Sequence, residues 1–154
     1  MQFSNHLFLV VGVITSPNHP NAYPAGAGTC WSFSPSPGKY LELFFTAYDV
    51  STLKQNKYKH KFTIKIHATA EADGDWITVS PAINGVSKFW GNNLQAVEAP
   101  PNLTTFPRDQ SVSLCFYSRA IVNGHNGFRA EIKQTCVFYC QAQPKPQFSK
   151  TELS

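Results

Sequence analysis

At 154 residues the chain has the length of one domain, enough to build a single packed core. Its formal net charge of +4 comes without any RNA- or DNA-binding fold pattern, which sets nucleic acid aside as a partner, and no apolar run is long enough to span a bilayer. Aromatic residues make up 14% of the chain, Gly and Pro are frequent and Met occurs once, a balance that favours many short strands joined by defined turns over helices.

Leu7 to Ile14 is the first apolar run. It has the length of a signal-peptide core, but it lacks a preceding Lys or Arg and a clear small-residue cleavage site, so it is read as the first strand. Val13-Ile14-Thr15 stops at Ser16-Pro17, where Pro17, Pro20 and Pro24 fix φ and hold the preceding residues out of the helical region. Thr29-Cys30-Trp31 then opens a second strand, with Trp31 expected to bury most of its ring. The turn Ser34-Pro35-Ser36-Pro37-Gly38 leads into a long strand in which Tyr40, Leu41, Leu43 and Phe45 are expected in the core, with Glu42 and Phe44 on the opposite face.

Ser51 to Gly74 is a long connection whose middle, Lys59 to His67, alternates polar and apolar residues. That pattern predicts a half-buried strand with Phe62, Ile64 and Ile66 inward and Lys61, Thr63, Lys65 and His67 outward. Lys54, Lys57, Lys59, Lys61 and Lys65 make this segment basic, with two readings. Lysines blunt edge-to-edge pairing of strands, or they form a patch for a sulfated glycan, an acidic protein or an anionic membrane surface. Glu71, Asp73 and Asp75 follow, close enough in sequence to offer a weak calcium site, with a solvated acidic loop as the preferred reading. Ile77 and Val79 alternate around Trp76 and Thr78, and Val112, Leu114 and Phe116 alternate with Ser113, Cys115 and Tyr117. Asp73-Gly74, Asn84-Gly85, Asn123-Gly124 and Asn126-Gly127 are turn dipeptides at separations that suit an antiparallel sandwich. Asn102-Leu103-Thr104, in a Pro-rich loop, is an acceptor sequence for N-glycosylation.

The chemistry-bearing residues do not assemble into a catalytic motif. The sequence has no G-x-S-x-G, no H-E-x-x-H and no phosphate-cradling Gly loop, and its five histidines are scattered: His6 near the terminus, His19 and His125 in turns, His60 and His67 on the inserted strand. A non-enzyme without a cofactor is expected. Four cysteines, Cys30, Cys115, Cys136 and Cys140, allow three pairings. They lack the paired spacing and flanking His of a zinc site, and an oxidising compartment accounts for them more simply.

The phrase Gly12-x-Ile14-x-Ser16-Pro17-Asn18-x-Pro20-x-x-Tyr23-Pro24, followed by Cys30-Trp31, resembles the opening of a CUB domain. The resemblance continues through Tyr48-Asp49-Val50, Asp75-Trp76-Ile77-Thr78-Val79, Phe89-Trp90-Gly91, Val112 to Ser118, and Gly127-Phe128-Arg129-Ala130-Glu131-Ile132. It covers residues 12–133, leaving 1–11 as an N-terminal segment (signal remnant or first strand) and 134–154 as a tail with Cys136 and Cys140. It implies an all-β, jelly-roll-like antiparallel sandwich. CUB domains usually carry two disulfides; Cys30 stands at the second cysteine position, but no cysteine precedes Gly12, so either the chain begins inside the domain or Cys30 pairs elsewhere. Ala72 and Trp90 occupy the third and fourth positions, as expected if that crosslink is lost.

The resemblance also implies where calcium would bind in the subset of CUB domains that take it, through three acidic side chains. Here those positions hold Ser51, Asp75 and Arg119, so Asp75 alone is retained and calcium-dependent binding is not expected. The function implied is a secreted, non-catalytic interaction module for an extracellular protein or glycan. Two alternatives stand beside it: an accessory CUB region of a larger secreted protease, and a self-standing spermadhesin-like protein binding carbohydrate or glycosaminoglycan.

Overall fold

A computed structural model of the chain describes residues 7–50, 75–91, 93–95, 98–119, 124–136 and 146–153. The described strands are β1 (Leu7–Thr15), β2 (Gly28–Ser34), β3 (Leu41–Asp49), β4 (Trp76–Ile83), β5 (Val86–Phe89), β6 (Leu103–Thr105), β7 (Val112–Tyr117), β8 (Gly127–Cys136) and β9 (Gln147–Glu152). They form two antiparallel sheets, one of four strands in the order β1-β8-β3-β6 and one of five in the order β5-β4-β7-β2-β9. The all-β sandwich expected from composition and spacing is therefore the observed architecture. Among the described residues no helix is long and apolar enough to cross a membrane.

Period-two burial builds the core. Leu41, Leu43 and Phe45 of β3, with Phe128, Ala130 and Ile132 of β8, face Trp31 and Phe33 of β2, Ile77 and Val79 of β4, and Val112, Leu114 and Phe116 of β7. Phe128 ties the layers together: its ring meets Trp31 edge-on at 5.8 Å and Phe116 at 5.8 Å. Each such side chain contributes roughly 1.5–3 kcal/mol when removed from water. Tyr40 departs from expectation. It lies just before β3, half-buried, its ring against the exposed Phe8 at 6.0 Å rather than in the core. The strand begins one residue later than the apolar run, so Tyr40 falls outside the alternation.

Two local features fix register. Asn84 and Gly85, with φ of 51° and 80°, close the β4–β5 hairpin in the two-residue geometry that needs positive φ at both positions. Cys30 and Cys115 stand directly opposite in the β2–β7 pair with Cα atoms 4.1 Å apart, and they are joined by a disulfide on the outer face of the five-stranded sheet. Of the two readings left open for Cys30, pairing elsewhere is the one found.

Strands extend on either side of residues 12–133. β1 begins at Leu7 and pairs with β8 from there, so the first apolar run is strand. β9 falls within 134–154 and pairs with β2 along its length. Cys136 ends β8. Cys140, Ser51, Ala72 and the basic residues Lys54, Lys57, Lys59, Lys61 and Lys65 lie outside the described residues, as does the strand expected between Lys59 and His67.

Candidate functional site

At one end of the sandwich the β1–β2 loop, the ends of β3 and β7 and the starts of β4 and β8 converge. Proline and turn chemistry carry the β1–β2 loop back across this end. Its return limb is zipped to the residues after β7: the Ala27 N–H donates to Ser118 Oγ at 2.7 Å, the Ser118 hydroxyl donates to the Pro24 carbonyl at 2.7 Å, and the Gly26 N–H donates to the Arg119 carbonyl at 2.6 Å. The loop thereby delivers Tyr23 to the interior, where its ring packs edge-on against Phe116 at 4.9 Å.

Asp75, immediately before β4, is the centre of a latch. Its Oδ2 accepts the Tyr23 hydroxyl at 2.6 Å and its Oδ1 accepts the Arg119 backbone N–H at 2.6 Å. The Arg119 Nε lies 4.0 Å from Oδ1, with 32% of the Arg119 side chain exposed against none of Asp75. The expectation of a solvated acidic loop is therefore wrong for Asp75. A carboxylate excluded from water needs donors, and it takes one from a loop 52 residues earlier and one from a strand end 44 residues later. Glu71 and Asp73 lie outside the described residues.

A second carboxylate stands nearby. Asp49, the last residue of β3, accepts the His125 Nδ1–H on Oδ1 at 2.7 Å and the Asn126 N–H on Oδ2 at 2.9 Å. His19 Nδ1–H donates to the Asn126 carbonyl at 3.0 Å, and the Tyr23 N–H donates to the His125 carbonyl at 3.2 Å. Two histidines read as scattered thus meet at one end. Between the carboxylates runs a clip: Ser16 N–H donates to the Phe128 carbonyl at 3.1 Å, and Phe128 N–H donates to Ser16 Oγ at 3.0 Å. Gly127 sits against it with φ of 80°, and a Cβ there would overlap the Ser16 hydroxyl.

Tyr48 forms part of the floor beneath these loops. Its ring is buried against Phe45, and burial first, then Tyr23, holds its phenol well above the usual tyrosine range.

The sequence marked Asp75 and Arg119; the structure adds Tyr23 as a partner of Asp75, and Asp49 with His125 as a separate pair. Tyr23 and Asp49 were both inside quoted motifs. Nothing local marks His125, because its partner is 76 residues away. Cys30 and Cys115 are joined to each other and neither is a free thiol. Asn102 is exposed at the start of β6, its carbonyl accepting the Phe45 N–H at 2.9 Å. Trp90 donates its backbone N–H to the Glu98 carbonyl.

Calcium would meet an Asp75 carboxylate that already has partners. The ion takes six to eight oxygens with negative charge around it. Both oxygens of Asp75 already accept hydrogen bonds, and a guanidinium stands beside one of them. Among the described residues no cluster of three or more His, Cys, Asp or Glu side chains has metal-binding geometry.

No family model matches the chain. Solved structures of CUB domains superpose on it: the CUB1-EGF-CUB2 domain of human MASP-1/3, with a TM-score of 0.57 at 19% identity over 82% of this chain and 41% of that one, and the CUB1-EGF-CUB2 domains of rat MASP-1, with a TM-score of 0.57 at 21% identity over 82% and 40%. In sequence, a stretch of 47 residues is 45% identical to the zinc metalloproteinase nas-39 of Caenorhabditis elegans, and one of 49 residues is 35% identical to Tolloid-like protein 1 of Homo sapiens. The aligned stretches cover 30% and 32% of this chain and 5% of each of those proteins. The resemblance read from the Gly12–Trp31 phrase is borne out: the sandwich has the CUB fold.

Proposed function

We propose that this chain, a CUB-type β-sandwich, is a non-catalytic extracellular interaction module that engages a protein or glycan ligand without calcium. The observation that carries the reading is the Asp75 latch. At the one position that keeps an acidic residue, the carboxylate is buried and satisfied from inside the protein by Tyr23 and Arg119. Hydrogen bonds and a nearby guanidinium organise this loop end where a divalent ion otherwise would. The loops stay presented around Asp49, His125 and Arg119, and this end is the ligand-facing surface. The cross-strand disulfide fits an oxidising, secreted setting, and Asn102 is the position that would carry an N-linked glycan there.

Titration calorimetry with calcium tests the reading, alongside thermal unfolding in calcium and in chelator. No calcium binding tighter than millimolar and no shift in melting temperature are expected. A micromolar site overturns it.

A second reading rests on the local identity to a zinc metalloproteinase and to Tolloid-like protein 1: the module works as an accessory region within a larger secreted protein. Transcript sequencing across both ends of this chain decides it, through the presence or absence of an in-frame protease domain. The glycosaminoglycan reading rests on the basic segment. Salt-dependent retention on heparin that disappears when Lys57, Lys59 and Lys61 are replaced supports it; elution at low salt regardless of those lysines sinks it.

A further inference from the structure

Among the described strands the two sheets end in four edges, and three carry the devices that keep an exposed edge from pairing with another chain. β6 is three residues long. β5 is four residues long and carries Lys88. β9 carries Lys150 and Glu152, which form an ion pair at 2.9 Å. β1 is neither short nor charged, and its one such device is the bulge between Val10 and Gly12. It runs nine residues, Leu-Phe-Leu-Val-Val-Gly-Val-Ile-Thr, with no charge and no proline, and among the described strands it pairs with β8 alone. Phe8, Val10 and Val13 point away from the core and are 37%, 47% and 50% exposed. In register they stand beside Thr135, Lys133 and Glu131 of β8, forming an apolar row at the rim of a charged face.

We propose that β1 is the surface through which two copies of this chain associate, pairing antiparallel about a two-fold axis so that their four-stranded sheets become one continuous sheet. The backbone groups on the open side of β1 specify a strand as occupant, since an edge ladder is completed by another extended chain. Charge specifies which strand. An edge bearing Lys or Glu would set those groups against the apolar row, and among the described strands the long neutral counterpart is β1 itself. A two-fold operator satisfies both edges at once and closes at two copies. Pairing centred on Leu9 stays on the regular side of the bulge between Val10 and Gly12. It sets Phe8 beside Val10 of the partner subunit, an aromatic–β-branched pair of the kind that stabilises sheets.

Sedimentation equilibrium of the oxidised full chain across micromolar concentrations tests the proposal, which does not depend on the ligand reading above. The mean mass is expected to double as concentration rises. Val10→Lys leaves the buried face of β1 untouched and is expected to remain monomeric with an unchanged far-UV spectrum, whereas Val86→Lys, at a similarly exposed position on the β4–β5 hairpin, associates like the wild type. Should Val10→Lys not fold, hydrogen exchange of the wild type decides instead, through protection of the outward β1 amides that increases with concentration. A wild type that stays monomeric, including one whose β1 accepts a strand only from another protein, overturns the proposal. So does undiminished association of Val10→Lys, or exchange in β1 that ignores concentration.

Discussion

Asp75 and Asp49 are two carboxylates at one end of the sandwich, each accepting one backbone N–H and one side-chain donor, yet their surroundings assign them different work. Asp75 is shut away from water, and its donors come from the β1–β2 loop and the end of β7, so it holds three distant segments of chain in one place. The Asp49 side chain is 30% exposed, and its donors are neighbours in sequence, His125 and Asn126 at the start of β8. Burial separates a carboxylate that builds the loop end from one that presents an imidazole on it. A ligand can meet the Asp49–His125 pair without disturbing the fold, whereas reaching Asp75 means opening the latch.

The largest expected effect lies between the two, at the Ser16–Phe128 clip. Gly127→Ala must place a Cβ where the Ser16 hydroxyl sits while holding a positive φ, and it is expected to lower the free energy of urea unfolding by about 3 kcal/mol or more. A loss under about 1 kcal/mol would mean that the clip does not hold the two carboxylate sites together. Next is the Cys30–Cys115 crosslink, whose replacement by serine at both positions is expected to cost about 2–4 kcal/mol in the same assay. The carboxylates themselves should then separate. Asp75→Asn turns an amide N–H₂ toward one of two buried donors and is expected to cost about 2 kcal/mol. Asp49→Asn, partly screened by water, should cost about 0.5–1 kcal/mol. Equal losses would remove the distinction that burial draws between them.

Much of the scaffold was legible because the core is written at period two. Val112, Leu114 and Phe116 in β7, and Leu41, Leu43 and Phe45 in β3, are buried as their alternation requires. The Asn84-Gly85 turn sits where the dipeptide stands. What escaped was carried by forces with no local pattern. β9 is exposed along its whole length, so no hydrophobic alternation announces it; its backbone ladder to β2 holds it in place. Asp75 was misread because an acidic residue beside others looks solvated until its partners, 52 and 44 residues away, are brought to it. The Cys30–Cys115 pairing follows from strand register, which a count of cysteines does not contain.

Tyr48 gives the effect with the least intuitive sign. It precedes Asp49 on β3, and among the described residues its buried hydroxyl has no hydrogen-bond partner, in contrast to Tyr23, whose hydroxyl serves Asp75. An unmet buried hydroxyl gives up hydration and gains nothing in return. Tyr48→Phe is therefore expected to raise stability by about 1 kcal/mol at neutral pH, whereas Tyr23→Phe lowers it by breaking the latch. The same burial sets a pH dependence. The phenol is held well above its ordinary value of 10.0 when folded, by desolvation first and by Tyr23 second, so the native state binds its proton more tightly than the unfolded chain does. Its contribution is complete below pH 10.0 and is lost as pH rises beyond it. Tyr48→Phe should flatten that alkaline loss, measured by urea unfolding on either side of pH 10.0. A Tyr48→Phe variant less stable than the parent would mean that the hydroxyl is bonded, to a buried water for instance, and that the floor beneath the two carboxylates is polar rather than apolar.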